Sequence, residues 1–209
     1  MKEIFKTCTK LNIDVSNWDV SNVTNMNSLF YDCYAITSLD LSNWDTFKVT
    51  DMGSMFWGLT GLTSIDVSSF NTSNVTTMNN MFRYCQALTS LDLSNFDTTN
   101  VIDIAGLVGD CTKLTSLIMK GNIDKVTSVN EMFRSITTEG VFEYNNEFDY
   151  SKVLQVLPTT WNAYYPNQRV VNKLVLYIDG VKTKSLNSGD VFTINGNTLN
   201  YINGYWTYE

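Results

Sequence analysis

The chain of 209 residues contains no histidine, two prolines and four cysteines. Histidine is the commonest general base and metal ligand, so its absence argues against triad hydrolases and most zinc sites. The 14 basic residues are outnumbered by 21 acidic ones, and a net charge of −7 argues against nucleic-acid binding, which needs a basic surface. No apolar run approaches the roughly 18 residues of a membrane span, and residues 1–10 lack the apolar stretch of a signal peptide.

Short polar side chains are abundant instead. Asparagine, serine and threonine together make up 67 of the 209 residues, while charged residues make up 17%. Such a bias is found in disordered chains, but 44% hydrophobic and 13% aromatic content indicate a folded protein. The composition therefore favours a regular backbone decorated by small hydrogen-bonding groups.

A repeat of 26 residues organises most of the chain, and such a period indicates a repeat architecture. Four copies align without gaps, and they begin at Ile13, Leu39, Ile65 and Leu91. A fifth copy begins at Leu117 and is one residue shorter, and residues 143–166 are interpreted as a degenerate sixth copy. The repeat predicts one domain over 1–166 and a separate C-terminal segment over 167–209.

The hydrophobic period changes within each copy. Leu91 and Leu93 alternate with polar residues, as expected for a half-buried strand. Further along the copy, apolar residues recur at steps of three and four, which is typical of one face of a helix. These residues are Val75, Met78, Phe82 and Cys85. Each copy is therefore predicted to be a strand, a turn and a short helix that bury their apolar faces by stacking.

The segments LTSLDLSNFDTTNV and VTTMNNMFRYCQALTSLDLSNF resemble the 26-residue repeat of bacterial surface proteins, the BspA-like leucine-rich repeat family. The resemblance is close over 13–116, weaker over 117–166 and absent beyond. It implies a curved, parallel-stranded solenoid on a bacterial surface, with adhesion or host contact as its role, and it identifies no catalytic residues. The predicted fold class is therefore α/β, a leucine-rich-repeat-like solenoid followed by a small antiparallel β-meander.

One aspartate per predicted strand forms an outward-facing column, and it has two interpretations. The carboxylates form an acidic stripe that binds calcium, a basic partner or sugar hydroxyls, or they form a solubilising face that hydrogen-bonds neighbouring serines and backbone. The column consists of Asp14, Asp40, Asp66 and Asp92. Ile118 and Lys120 interrupt it in the fifth copy, and this apolar and basic spot is a specific candidate for a contact site.

Two further columns are predicted to be structural. Aromatic residues at one position suggest a stacked core, with sugar stacking as the alternative. They are Trp18, Trp44, Phe70 and Phe96. Cysteines at another position alternate with leucine, which indicates free buried thiols rather than disulfides or a metal site. They are Cys8, Cys33, Cys85 and Cys111, and no metal or other cofactor is expected.

The last 43 residues have a different pattern. Asp-Gly at 179–180 and Asn-Gly at 195–196 and 203–204 separate apolar runs, which are strong hairpin signals. This segment is predicted to be a meander that caps the repeats, pairs with another chain or attaches to something larger. If it does not cap the repeats, Tyr205, Trp206 and Tyr208 form an exposed binding face.

These features predict a non-enzymatic, surface-exposed binding or adhesion module. Its expected partner is a protein or glycan on a host or neighbouring cell, and its expected location is extracellular or on the cell surface. Enzymes need unlike groups that converge at one place, whereas the repeated Ser-Asp-Ser positions form a periodic surface. The alternative is a structural or assembly component, such as a particle or virion surface protein, whose residues 167–209 mediate oligomerisation or attachment.

Overall fold

The computed structural model describes residues 1–10, 13–145 and 147–165. It also describes the strand segments 168–171, 175–178, 181–185, 191–194, 197–202 and 205–208, and side-chain detail extends to residue 163.

A small parallel sheet lies at the C-terminal end of the repeats. Its strands are β1 (Ser90–Leu93), β2 (Ser116–Met119), β3 (Gly140–Tyr144) and β4 (Trp161–Tyr165), which pair in that order, and β5 (Gln168–Val171) joins β4 antiparallel. Leu91 pairs with Leu117, and Leu117 pairs with Phe142. The sheet therefore aligns equivalent positions of successive copies.

The remaining strands belong to two other sheets. β6 (Val175–Ile178) pairs with β7 (Val181–Ser185). β8 (Val191–Ile194), β9 (Asn197–Ile202) and β10 (Tyr205–Tyr208) form a three-stranded antiparallel sheet with β9 in the centre.

The prediction of an α/β strand–turn–helix solenoid followed by one antiparallel meander is wrong. The parallel sheet has four strands, and of the residues that the structure describes only α1 (Ser151–Val156) is an α-helix. This six-residue helix lies after the last regular copy. The C-terminal strands do not form one meander, because β5 extends the parallel sheet and the others divide between two sheets.

Left-handed residues explain why the repeated helix does not form. An α-helix needs right-handed φ at every residue, yet two residues four apart in each copy have positive φ, such as Ser28 (54°) and Asp32 (59°). The same pair of positions has positive φ in the next four copies. They are Ser54 and Gly58, Asn80 and Tyr84, Gly106 and Asp110, and Glu131 and Ser135.

The backbone amides of this segment alternate between two kinds of partner. Leu29 N–H donates to the Met26 carbonyl within the same copy, which closes a turn of four residues. Ser28 N–H donates instead to the Gly53 carbonyl of the next copy, at 2.9 Å. Consecutive turns place an apolar side chain inward every three or four residues, so they produce the same sequence spacing as a helix.

Successive copies are joined by a ladder of isolated parallel bridges. It connects Asn25, Asp51, Thr77, Asp103 and Ser128. Side chains add to this ladder, because the Asp51 carboxylate accepts hydrogen bonds from the Asn25 and Asn27 amides at 3.3 and 3.2 Å. The repeated asparagine and aspartate residues of this segment therefore hold copies together.

Two aromatic columns form the core. Phe30, Phe56 and Phe82 are fully buried, with centroids 6.0 and 5.3 Å apart. In the second column, which was predicted as a core spine, Trp44, Phe70 and Phe96 are buried and stack at 6.5 and 6.4 Å, whereas Trp18 is only partly buried. The stacked spine is therefore confirmed for its last three members.

The cysteines occupy the predicted environment. All four are free; Cys8 is partly buried, and Cys33, Cys85 and Cys111 are fully buried. Burial raises the pKa of the Cys33 thiol to about 11 and that of the Cys111 thiol to about 12. The prediction of free buried thiols is confirmed for these three, and their high pKa values keep them protonated at neutral pH.

Candidate functional site

The carboxylates of the outward aspartate column each form a hydrogen bond within their own local turn. All four carboxylates are exposed, and each accepts the backbone N–H of the serine two residues later, at 2.8 to 3.1 Å. Asp40 also accepts the Ser42 hydroxyl at 2.7 Å. Hydrogen bonds from these serines lower the pKa of Asp14, Asp40 and Asp66. The four side chains have the geometry of Asx turns, in which the carboxylate binds the chain's own backbone.

The turn geometry predicts a pH dependence of stability. The folded pKa of Asp14, Asp40 and Asp66 lies below the unfolded value of about 3.9, so this stabilisation is present above pH 4 and is lost as pH falls through the folded pKa. We expect the melting temperature to fall more steeply below about pH 4 in the native chain than in the triple variant D14N/D40N/D66N, whose amide oxygens still accept the N–H. Thermal melts from pH 5 to pH 2.5 measure this difference. The same slope of melting temperature against pH in the native chain and in the triple variant would contradict this account.

The interruption of the column in the fifth copy lies on β2. Ile118 is partly buried and pairs in register with Asp92 on one side and Glu143 on the other. The Lys120 ammonium lies 2.6 Å from a carboxylate oxygen of Glu143. The basic charge of this candidate contact site is therefore paired within the chain.

The other predicted binding residues lie in the C-terminal sheet. Tyr205, Trp206 and Tyr208 belong to β10, and their side chains lie outside the described residues. In the part of the chain that the structure describes, no three histidine, cysteine or acidic side chains are grouped so as to hold a metal ion.

A cluster that the sequence patterns did not indicate lies on the turn segments of the first three copies. We call it the aromatic band, and it consists of Tyr31, Tyr34, Trp57, Arg83 and Tyr84. The Tyr31 and Trp57 rings stack in parallel with centroids 4.2 Å apart, and the Tyr84 ring meets Trp57 edge-on at 4.8 Å. Tyr31, Trp57, Arg83 and Tyr84 are partly exposed, and Tyr34 is 44% exposed.

Cations lie at both ends of the aromatic band. The Lys6 ammonium is 5.3 Å from the centroid of Tyr31, and the Arg83 guanidinium is 5.4 Å from that of Tyr84, both within cation–π range. Arg83 is held by carboxylates of the next two copies, with Nε 3.0 Å from Asp110 and a terminal nitrogen 2.9 Å from Glu131. The orientation of Arg83 is therefore set before any partner binds.

The band presents ring edges rather than ring faces. Tyr31 lies between Lys6 and Trp57, so both of its faces are covered. No described residue accepts the indole N–H of Trp57, and this donor is not buried. A hydrogen bond with Asp32 raises the pKa of the Tyr34 hydroxyl. The band thus combines apolar edges with polar tips that a second molecule can contact.

The repeat pattern concealed the band because its central column varies between copies. Residues 31, 57, 83, 109 and 134 are Tyr, Trp, Arg, Gly and Arg, whereas the neighbouring core columns are nearly constant. Columns that recur signal packing. A neighbouring column whose residue type differs from copy to copy does not belong to the core, because the core packing stays the same while that residue changes. Such a column is the sequence signal that could have indicated the band.

A shallow groove of about 400 Å³ lies between the third and fourth copies, beside Phe70 and the turn residues Asn71 and Asp97. Ser69 occupies the place of the asparagine that lines this edge in other copies, such as Asn95. The groove is open and its polar groups bind one another, since the Asn71 carboxamide oxygen accepts the Ser73 hydroxyl at 2.7 Å.

These observations define a tandem-repeat protein whose copies are joined by backbone and side-chain hydrogen bonds. The chain belongs to the family described as "Mycoplasma protein of unknown function, DUF285", whose sequence profile matches residues 1–65, 35–147 and 60–170. The overlapping matches follow the internal repetition of the chain. No curated protein and no solved structure matches it. Among the described residues, no helix has the length and apolar character needed to cross a membrane.

Proposed function

We propose that the chain is a non-enzymatic binding module that recognises a protein partner at the cell surface, through the aromatic band. The resemblance of its 26-residue motif to BspA-like leucine-rich repeats supports a surface location and a role in adhesion. The observation that carries the proposal is the exposed edge of stacked Tyr31 and Trp57 beside the fixed cation of Arg83. Tyrosine, tryptophan and arginine are the residue types that dominate binding energy in protein interfaces.

The ring geometry favours a protein over a glycan. A sugar ring packs on an open aromatic face, but Tyr31 is stacked on one face and covered by Lys6 on the other. Ring edges and hydroxyl tips suit the mixed apolar and polar contacts of a protein surface. The preformed salt bridges of Arg83 reduce the entropy that binding would cost.

The use of the exposed aspartates supports a non-enzymatic role. Asp14, Asp40, Asp66 and Asp92 are each engaged with a serine in the same local turn. General acid–base chemistry needs carboxylates in unlike environments at one place. The four aspartates lie in equivalent turns of successive copies, so they do not provide carboxylates in unlike environments.

Removing the central ring tests the proposal. We expect labelled chain to bind cultured cells saturably, and the variant W57A to bind about tenfold or more weakly because it loses a central aromatic anchor. The control is F47A, since Phe47 is 51% exposed and lies outside the band. Binding isotherms are measured by flow cytometry, with melting curves to verify folding.

Treatment of the cells separates the kinds of partner. Binding should be lost after surface proteolysis and retained after enzymatic removal of glycans. Unchanged binding by folded W57A would contradict the assigned surface, and loss of binding after glycan removal would contradict a protein partner.

A further inference from the structure

Three rings of the aromatic band carry hydrogen-bond donors that are not in use. The indole N–H of Trp57 and the hydroxyls of Tyr31 and Tyr84 have no acceptor among the described residues. All three side chains are partly exposed, so water can reach them. A partner that covers the band removes this water, and a buried donor without an acceptor opposes binding. The partner must therefore supply acceptors to the band.

The acceptors of the band are already engaged. The backbone carbonyls of Tyr31, Trp57 and Arg83 each accept the N–H of a residue in the preceding copy, at 2.6 to 2.8 Å. The Asp32 carboxylate is engaged by the Tyr34 hydroxyl. A partner that brings backbone N–H groups to the band would have to remove their water without replacing it. The band therefore favours a partner whose backbone offers carbonyls and lacks free N–H groups.

The orientation of the rings adds to this preference. An aromatic ring is partially negative on its faces and partially positive along its edge. The Trp57 ring has Tyr31 stacked on one side and Tyr84 on the other, so its edge is what a partner meets. The guanidinium of Arg83 lies beside Tyr84, 5.4 Å from the ring centroid. Positive edges next to a cation attract carbonyl oxygens.

The spacing of the rings selects the conformation of the partner. The centroids of Tyr31 and Tyr84 lie 4.2 and 4.8 Å from that of Trp57, in the copies on either side of it. Because neighbouring copies are spaced by about 4.8 Å, the two tyrosines lie roughly 9 Å apart along the axis on which the copies stack. A polyproline II helix repeats every three residues, or about 9.3 Å. An extended strand repeats every two residues, or about 6.8 Å, and matches neither spacing.

We propose that the aromatic band binds a proline-rich segment of its partner, in the polyproline II conformation and parallel to the axis on which the copies stack. The inference rests on the proposed function and names the kind of partner that this site takes. Proline has no backbone N–H, and a polyproline II helix makes no internal hydrogen bonds, so all of its carbonyls are free. Carbonyls one turn apart accept the Tyr31 and Tyr84 hydroxyls, and a carbonyl between them accepts the Trp57 N–H.

Other peptide conformations satisfy the band less well. An added β-strand has N–H groups that alternate with its carbonyls, and the carbonyls of residues 31, 57 and 83 cannot accept them because they are taken. A helix uses its carbonyls internally except in its last turn. A proline-rich segment also loses little conformational entropy on binding, because its backbone is already restricted.

Binding of fluorescently labelled decaproline to the full chain tests the proposal. We expect a saturable rise in anisotropy, and binding about tenfold or more weaker for a ten-residue Gly-Ser peptide, which is flexible and carries N–H groups. The variants W57F and Y84F each remove one donor and keep an aromatic ring, and each should weaken decaproline binding about five- to tenfold. W18F is the control, because it makes the same change outside the band and should alter binding by at most about twofold.

The proposal is overturned if the native chain does not bind decaproline at millimolar concentration, or if folded W57F and Y84F bind it as tightly as the native chain. Equal binding of the Gly-Ser peptide, or tighter binding of a strand-forming Thr-Val repeat peptide, would also overturn it. Melting curves verify that each variant is folded. Failure of this inference is distinct from failure of the proposed function: if W57A loses cell binding while the native chain does not bind decaproline, only the inference is wrong.

Discussion

Replacing Phe56 by alanine is expected to lower the free energy of unfolding by about 4 kcal/mol, the range for a buried phenylalanine. Phe56 is fully buried, with Phe30 at 6.0 Å on one side and Phe82 at 5.3 Å on the other. No helix supports this segment, so the ring column and the hydrogen bonds between copies are what hold it. The cavity would open between three copies at once, because turns that bond to both neighbours cannot collapse independently.

Chemical denaturation followed by tryptophan fluorescence measures this change. The matched control is F47A, which removes the same atoms from a side chain that is 51% exposed and should change the free energy by at most about 0.5 kcal/mol. A loss for F56A similar to that of F47A would show that the Phe30–Phe56–Phe82 column does not carry the stability assigned to it.

Replacing Asp110 by asparagine is expected to cost about 2 kcal/mol, because it removes a charge from a pair that is largely shielded from solvent. Asp110 is 6% exposed and lies 3.0 Å from Nε of Arg83, whose side chain is 14% exposed. Asparagine is chosen because Asp110 has a φ of 62°, a conformation that asparagine tolerates and alanine does not. The expected loss therefore reports the ion pair rather than backbone strain.

The other carboxylate on Arg83 provides the control. Glu131 is 50% exposed at its side chain, so E131Q should cost about 0.5 kcal/mol and its effect should diminish at high salt. The cost of D110N should persist in high salt, since the pair is shielded from solvent. Equal costs for the two variants in urea titrations at low and high salt would contradict the assigned difference in burial.

The period and the burial pattern of the repeats could be predicted from the sequence. Residues at the same place in each copy share an environment, as the buried column Trp44–Phe70–Phe96 and the buried thiols of Cys33, Cys85 and Cys111 show. Both predictions depend only on spacing and on which residue types replace one another. Neither required knowledge of the backbone conformation.

The helix in each copy was predicted incorrectly for a physical reason. Apolar residues three and four apart indicate inward positions, and both a helix and a run of four-residue turns produce that spacing. Left-handed φ at positions such as Asn80 and Tyr84 decides between them, and it depends on amides that donate to the following copy. A bond between residues about 26 apart is not visible in a local pattern.

The candidate site depended still more on tertiary structure. The aspartates of the repeated column were visible in the sequence, but the structure shows that each carboxylate accepts a backbone N–H of its own turn. The aromatic band joins Tyr31, Trp57 and Tyr84 from three copies at positions that do not share one residue type. Only the stacking of the copies places the centroids of Tyr31 and Tyr84 within 5 Å of the Trp57 ring between them.

The absence of histidine, the excess of acidic over basic residues and the 26-residue period are determined by the sequence alone, and they establish a repeat protein rich in short polar side chains. The tertiary structure decided how those polar groups are used. Backbone N–H and C=O groups that a helix would have paired locally pair instead between copies. These hydrogen bonds join residues that lie about one repeat apart, so no local pattern in the sequence reveals them.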